Sequence, residues 1–411
     1  MQPLICVERA DPGSGRLQEV RRSGGPHGSV GIHEEPAQVG ASSIQKKQPR
    51  QKVGVEMQAV RVGVVMGGVS SEREISLRSG AAVTETLGQL GYDVVPIDLG
   101  SGASALADLA AASMDVAFLA LHGRQGEDGV VQGILEMLGI PYTGSGVLGS
   151  ALAMDKLKSK ELFRLHNVPT PPYYELRRAQ TDALAEIHGS FGYPAIVKPR
   201  REGSSLGVVK VDSLAELSAA VENALQYDDS VLVERFVSGR EIAVGLLDGR
   251  VLGAIEIAPR GDVYDFEAKY TPGMSDYFIP ARLEATRICG VLKLAERAVE
   301  ALEVRGAARV DLLVTEGANE YVLEVNTLPG MTETSLFPRI AAAAGYDFAG
   351  LCEAMLQTAR LDSSCVRPHV VPRHAAPGEL STWEADGSFE DAGYAVVAAR
   401  GRRGRSVQRT A

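Results

Sequence analysis

Ala308-Arg309-Val310-Asp311-Leu312-Leu313-Val314, a short polar break, and then Glu320-Tyr321-Val322-Leu323-Glu324-Val325-Asn326-Thr327-Leu328-Pro329-Gly330-Met331 read as two strands and the turn that joins them. If the turn centres between Gly317 and Ala318, Asp311 faces Glu324 and Arg309 faces Asn326, and the two-residue period of a strand puts all four on one face. Two carboxylates opposed on a sheet repel one another. Either they point to solvent or pair with Arg309, or a divalent cation offsets the repulsion. Two carboxylates and an amide oxygen are hard donors of the kind Mg²⁺ takes beside water and phosphate oxygens.

The chain of 411 residues is 45% hydrophobic and 23% charged, the composition of a soluble, core-forming protein of two to three domains. Its net charge is −10, and residues 59–361 hold 27 Lys and Arg against 40 Asp and Glu, a net of −13. Nucleic acid is therefore not an expected partner, and an anion has to be met by a few placed lysines, glycines and metal ions. Cys6, Cys289, Cys352 and Cys365 lie far apart, which disfavours a disulfide framework and a zinc site and fits a reducing compartment. No apolar run reaches the roughly 20 residues of a membrane span; the cytosol is the expected location, with no membrane partner.

Residues 1–58 carry no sustained periodicity and are expected to be a disordered extension. Met57, just ahead of the first strand, is the expected start of a shorter native product. Residues 362–411, with the only tryptophan, Trp383, and the basic run Arg400–Arg405, are expected to be a disordered tail. Between them strands and helices alternate, which predicts an α/β fold turning α+β toward the C-terminus. The predicted elements are a strand over Val60–Met66, a helix over Ile75–Leu90 closed by Gly91, a strand over Asp115–Leu121 and a helix over Val130–Leu138. A longer helix over Gly146–His166, a β-rich stretch over Pro194–Gly253 with Asp248-Gly249 as a hairpin turn, and a closing helix over Phe348–Leu361 follow. Residues 59–153 look like a small doubly wound unit.

Two further stretches carry chemistry. Over Ala195–Lys210 a strand delivers Lys198 into a loop with Gly203, Ser204, Ser205 and Gly207. Such a loop is either a simple turn or a phosphate cradle in which backbone N–H groups and a lysine meet the oxygens; it lacks Walker spacing. Over Val231–Val244 two strands bracket a linker between Glu234 and Glu241. Free backbone groups at Phe236 and Val237 could read an adenine edge and a carboxylate could accept from ribose hydroxyls; alternatively, these are surface glutamates.

Taken with Met66–Leu77, Leu121–Gly129, Tyr142–Gly146, Met154–Lys160 and Tyr264–Tyr270, these stretches resemble the ATP-grasp ligases and, among them, the D-alanine–D-alanine ligases, from about Val60 to Leu361. The resemblance implies an ATP-grasp fold preceded by the small N-terminal domain, with a central subdomain over 154–239 and a C-terminal one over 240–361. It implies ATP-dependent joining of two D-alanine molecules through an acyl phosphate, for peptidoglycan precursors, by a homodimer. Lys156, Lys198 and Lys269 would reach the phosphates; Glu234, Phe236 and Val237 the adenine; Glu241 the ribose. Asp311, Glu324 and Asn326 would hold two Mg²⁺ ions, with Mn²⁺ able to replace them. Glu72 would anchor the first substrate's ammonium, Arg309 and the Gly330 N–H the oxyanion, and Ser335 the second carboxylate; His122 would touch substrate. Ser204 and Tyr270 would link the phosphate loop to a lid over Gly261–Pro280. Tyr270 goes, in that family, with D-alanine rather than D-lactate as second substrate. Ala308 stands where many relatives have glycine. The alternatives are another ATP-grasp carboxylate–amine or carboxylate–hydroxyl ligase, such as a D-alanine–D-lactate ligase, and a non-catalytic nucleotide-binding module.

Overall fold

The computed structural model describes residues 60–261, 271, 273–317 and 319–363. The expectations for residues 1–58, for Met57 and for Trp383 and the basic run lie outside the described residues.

The first strand, β1 (Arg61–Gly67), is the middle of a parallel sheet, flanked by β2 (Asp93–Leu99) and β3 (Val116–Leu119). Covered on both faces, β1 reads as an apolar run without alternation: Val62, Val64 and Val65 are all fully buried. The covering helices are α1 (Arg73–Gln89), α2 (Gly102–Ala111) and α3 (Val130–Leu138). Two helices from the far end of the chain, α9 (Leu336–Ala343) and α10 (Phe348–Leu356), close one face.

The predicted long helix breaks in two, α4 (Val147–Met154) and α5 (Lys156–Leu165). Asp155 causes the break: its backbone is extended and its side chain accepts from the Lys158 N–H at 3.1 Å, capping the second helix. That start places Lys156 at the first helical position.

An antiparallel sheet follows in the order β4 (Tyr173–Arg177), β7 (Ser230–Arg235), β5 (Ala195–Pro199), β6 (Val209–Val211). A short helix, α6 (Leu184–His188), and α7 (Leu214–Ala224) lie in the connections. The stretch expected to be β-rich also contains a helix, capped by Ser213, whose hydroxyl accepts from the Glu216 N–H at 3.3 Å. Leu217, Ala220, Val221 and Ala224 recur at helical spacing and bury against this sheet.

The third sheet runs β10 (Ser275–Phe278), β9 (Arg250–Pro259), β8 (Arg240–Leu247), β11 (Ala307–Val314), β12 (Glu320–Asn326), all antiparallel. Asp248 (φ 50°) and Gly249 (φ 81°) form the expected tight turn between β8 and β9. The helix α8 (Ala285–Ala301) packs beneath Val310, Leu312, Val322 and Val325, leaving the other face of β11 and β12 to polar side chains.

Asp311 pairs with Glu324 and Arg309 with Asn326, as the sequence predicts, but the register slips by one residue between Asp311 and Leu312. This bulge at Leu323 moves the turn without disturbing the four polar residues. Two expected boundaries shift. The closing helix ends at Leu356, and Arg360 instead bridges to Tyr142. Asp362, expected in the tail, caps α4 through the Val147 N–H at 2.9 Å and pairs with Arg305 at 2.9 Å, so it belongs to the folded body. Part of the expected lid is also a strand: Ser275–Phe278 pairs with Glu256–Pro259, while residues 262–270 and 272 lie outside the described residues.

Candidate active site

The four-stranded and five-stranded sheets face one another across a cavity of about 800 Å³. Lys156, Lys198 and Glu234 line one side, and Asp311, Glu324 and Glu241 the other. Six elements deliver them: the start of α5, the strands β5 and β7 of the smaller sheet, and the strands β8, β11 and β12 of the larger one.

On the first side Glu234 is 2% exposed, with Oε1 2.7 Å from Lys198 Nζ and 2.9 Å from Lys160 Nζ. Burial pushes this carboxyl upward, but the two ammonium groups outweigh it and hold it below the usual range. Phe236 and Val237 line the cavity beyond it, and Lys210 Nζ lies 4.7 Å from the Phe236 ring centre. The expectation that the Phe236 N–H is free is corrected: it donates to the Pro194 carbonyl at 3.1 Å.

On the second side Arg309 holds Asp311 through two hydrogen bonds, and the Asn326 amide reaches Asp311 Oδ2 at 3.2 Å. Glu324 Oε2 is 3.6 Å from Lys156 Nζ, which donates to the Glu202 carbonyl at 2.5 Å. The opposed carboxylates are thus each balanced by a cation of the chain itself. Among the described residues no group of three or more His, Cys, Asp and Glu side chains is placed to hold a metal ion. The donors here are two carboxylates and one amide. With only two carboxylates, the set suits a hard cation that completes its shell with water and phosphate oxygens, and an amide oxygen requires only that the Asn326 side chain be turned over.

A second cluster lies where the loop between β5 and β6 meets the start of α1. Ser204 donates to Glu72 Oε1, and a Cβ at position 203 would sit 2.5 Å from Glu72 Oε2, so a side chain there would push this carboxylate aside. Ser204 (φ 49°) and Ser205 (φ 56°) are both left-handed, an uncommon state for residues with a side chain. His122 is buried, with Nε2 3.4 Å from Ser79 Oγ. Burial, and then the Arg309 charge, pull its ring down to about 4, so it is neutral at pH 7. Ser335 is the N-cap residue of α9, and its Oγ accepts from the Thr332 N–H at 3.1 Å. A Cβ at Gly330 would sit 2.7 Å from this Oγ. Lys269 and Tyr270 lie outside the described residues.

Several residues here escaped sequence reasoning. Glu127 accepts from the Gly123 N–H at 2.7 Å; burial and then the Glu72 charge raise its carboxyl to about 8. It sits in a polar loop with no periodicity to mark it. Lys160 follows Lys156 by four residues, a spacing that puts both on one helix face and could have been noticed. Arg124 reaches Glu202 at 2.9 Å and the Tyr227 carbonyl at 3.0 Å, fastening the His122 loop to the loop between β5 and β6 and to the segment ahead of β7.

The family models described as D-ala D-ala ligase N-terminus and D-ala D-ala ligase C-terminus match residues 103–145 and 162–357. A D-alanine–D-alanine ligase of Geobacter sulfurreducens is 52% identical over 308 residues, covering 74% of this chain and 96% of the relative. Among solved structures, the Bacillus anthracis D-alanine–D-alanine ligase complexed with ATP is 38% identical with a TM-score of 0.63, over 73% of this chain and 96% of that one. The VanG D-Ala:D-Ser ligase of Enterococcus faecalis is 31% identical with a TM-score of 0.64, over 72% and 98%.

Proposed function

The chain belongs to the D-alanine–D-alanine ligase family and is an ATP-dependent ligase that joins two D-alanine molecules for peptidoglycan synthesis, and on that premise we propose how its residues divide the work. The observation that carries the assignment is the cavity with lysines on one wall and paired carboxylates on the other.

A carboxylate is a poor electrophile, so it must first acquire a leaving group. The carboxylate oxygen of the first D-alanine attacks the γ-phosphorus of ATP; the bond to the β-phosphate oxygen breaks and ADP departs, leaving an acyl phosphate. The amine of the second D-alanine, having lost a proton, attacks the acyl carbon, and the tetrahedral adduct expels phosphate as the amide forms.

Lys156 and Lys198 hold the nucleotide's phosphates, with Lys269 joining from the lid. The ionised Glu234 accepts from the adenine amine, the Phe236 carbonyl and Val237 border the ring, and Glu241 receives the ribose. Asp311, Glu324 and Asn326 would hold Mg²⁺, two ions in all, or Mn²⁺, whose charge offsets the phosphate oxygens. Glu72 anchors the first ammonium, and Ser204, with Tyr270, ties the phosphate loop to it. Arg309 and the Gly330 N–H face the developing oxyanion. Ser335 holds the second carboxylate, and neutral His122 offers a hydrogen bond without a charge. Exclusion of water by the segment over Gly261–Pro280 protects the acyl phosphate.

Three sheets support a division at 59–153, 154–239 and 240–361. No helix among the described residues is long and apolar enough to cross a membrane; with the scattered cysteines this supports a cytosolic setting. A homodimer rests on the family resemblance, and light scattering on the purified protein tests it. The function is tested by ADP release on adding D-alanine with L-alanine as control: release and dipeptide with D-alanine alone support it, and equal release with both refutes it.

A further inference from the structure

Glu234 serves two lysines through one oxygen, Lys198 at 2.7 Å and Lys160 at 2.9 Å. The two are not equivalent. Lys198 lines the cavity, whereas Lys160 is fully buried and is not part of the lining. Lys160 is fixed on its other sides by the Thr170 hydroxyl at 2.5 Å and by the Tyr173 ring, whose centre is 5.6 Å away. Lys156, beside them, lies 3.6 Å from Glu324 of the opposite wall, so Glu234 is the carboxylate that Lys198 and Lys160 share.

We propose that Lys160 is a positioning residue for nucleotide-base selection: it keeps Glu234 ionised and aimed at the base when Lys198 leaves that carboxylate for the nucleotide's phosphates. The inference rests on the reading that Glu234 faces adenine and Lys198 the phosphates. Without Lys160, the departure of Lys198 would strand a carboxylate that is 2% exposed, and a buried charge with no partner is strongly disfavoured. Glu234 would then keep Lys198 from the phosphates or take up a proton. In the first case the triphosphate is held more weakly. In the second, the carboxyl offers the base an O–H donor as readily as an acceptor, and a ring bearing an amine is no longer preferred over one bearing a carbonyl. Burial, countered by Glu234 and reinforced by the Lys198 charge, brings the Lys160 ammonium down to about 8, and the charges and hydrogen bonds of both Lys160 and Lys198 hold Glu234 down. Both fit a lysine kept charged chiefly by Glu234, with a smaller contribution from the Glu324 charge.

The test is steady-state ligation with ATP and with ITP, for the intact chain and for Lys160→Met, Lys160→Gln, Glu234→Gln and the double variant Lys160→Met/Glu234→Gln. Loss of a hydrogen bond to a charged group corresponds to roughly 10–100-fold. The expected result is a rise of that size in the KM for ATP in both Lys160 variants, with the KM for D-alanine within about twofold, and at least about a tenfold fall in the ATP-over-ITP preference. The double variant should be no worse than Glu234→Gln alone. Because it removes both buried charges together, it also reads out the coupling if the single variants fail to fold. Lys160 variants that melt earlier yet keep the ATP KM and the base preference, or a double variant whose defect multiplies that of Glu234→Gln, overturn the inference. A Glu234→Gln variant with unchanged base preference overturns the underlying reading instead.

Discussion

Both oxygens of Asp311 are held by Arg309, with Nε at 2.8 Å and a terminal nitrogen at 2.9 Å. The two residues stand two apart on β11, so strand period alone puts them on one face. The guanidinium and any bound cation draw on the same carboxylate.

Arg309→Ala should therefore lower kcat by about 10²–10³, the usual effect of removing one oxyanion donor. It should also lower stability by about 1–3 kcal/mol, since Asp311 loses two hydrogen bonds to a charged donor and among the described residues keeps the Asn326 amide as its partner. Arg309→Lys retains the charge but not the fork and should recover stability more than rate. Chemical denaturation and single-turnover kinetics separate the two effects.

Removal of divalent cations should halt the reaction. EDTA is expected to reduce ADP release to background and excess Mg²⁺ to restore it. Asp311→Asn should require at least about tenfold more Mg²⁺ for half-maximal rate, a loss of about 1.4 kcal/mol. A Mg²⁺ titration of ADP release checks both.

The buried ionisable groups make opposite contributions with pH. His122 is lowered from 6.5 to about 4, so the unfolded chain binds the extra proton between those values and stability falls as pH drops through that window, by on the order of 3 kcal/mol at most. Glu127 is raised from 4.5 to about 8, so the folded chain binds the extra proton and stability falls as pH climbs from about 4.5 toward 8. Urea unfolding across pH 4–8 should be flatter at the acid end for His122→Asn and flatter at the alkaline end for Glu127→Gln.

Arg124 ties the loop that carries His122 and Glu127 to Glu202, whose carbonyl receives Lys156. Nearly half of its side chain is exposed, so the pair is worth only about 0.5–1 kcal/mol. Arg124→Ala should raise the KM for D-alanine by about two- to fivefold and raise the ratio of ADP to dipeptide, because a looser junction admits water to the acyl phosphate. A double-mutant cycle with Glu202→Gln measures the coupling.

What was legible in the sequence followed from local rules. The apolar β1 run, the Asp248-Gly249 turn and the pairing of Asp311 with Glu324 all rest on short-range period and turn chemistry. The Asp155 break was less visible, because the helical pattern continues on both sides of a residue that is polar in either reading. The closing helix was overextended because Ala359 and Leu361 are apolar for a different reason: they pack beneath or beside the parallel sheet. Lys160, Glu127 and Arg124 matter through partners 74, 55 and 78 positions away in sequence, Glu234, Glu72 and Glu202, and such pairings are set by tertiary packing. The Phe236 N–H was misjudged for the same reason, its acceptor being Pro194.

The central claim is that the facing acidic pair on β11 and β12 is the seat of nucleotide turnover. ADP release on adding D-alanine, compared between the intact chain and a folded Glu324→Gln variant, tests it most directly. The account predicts steady release from the first and none above background from the second; a variant that turns over at the parent rate would contradict it.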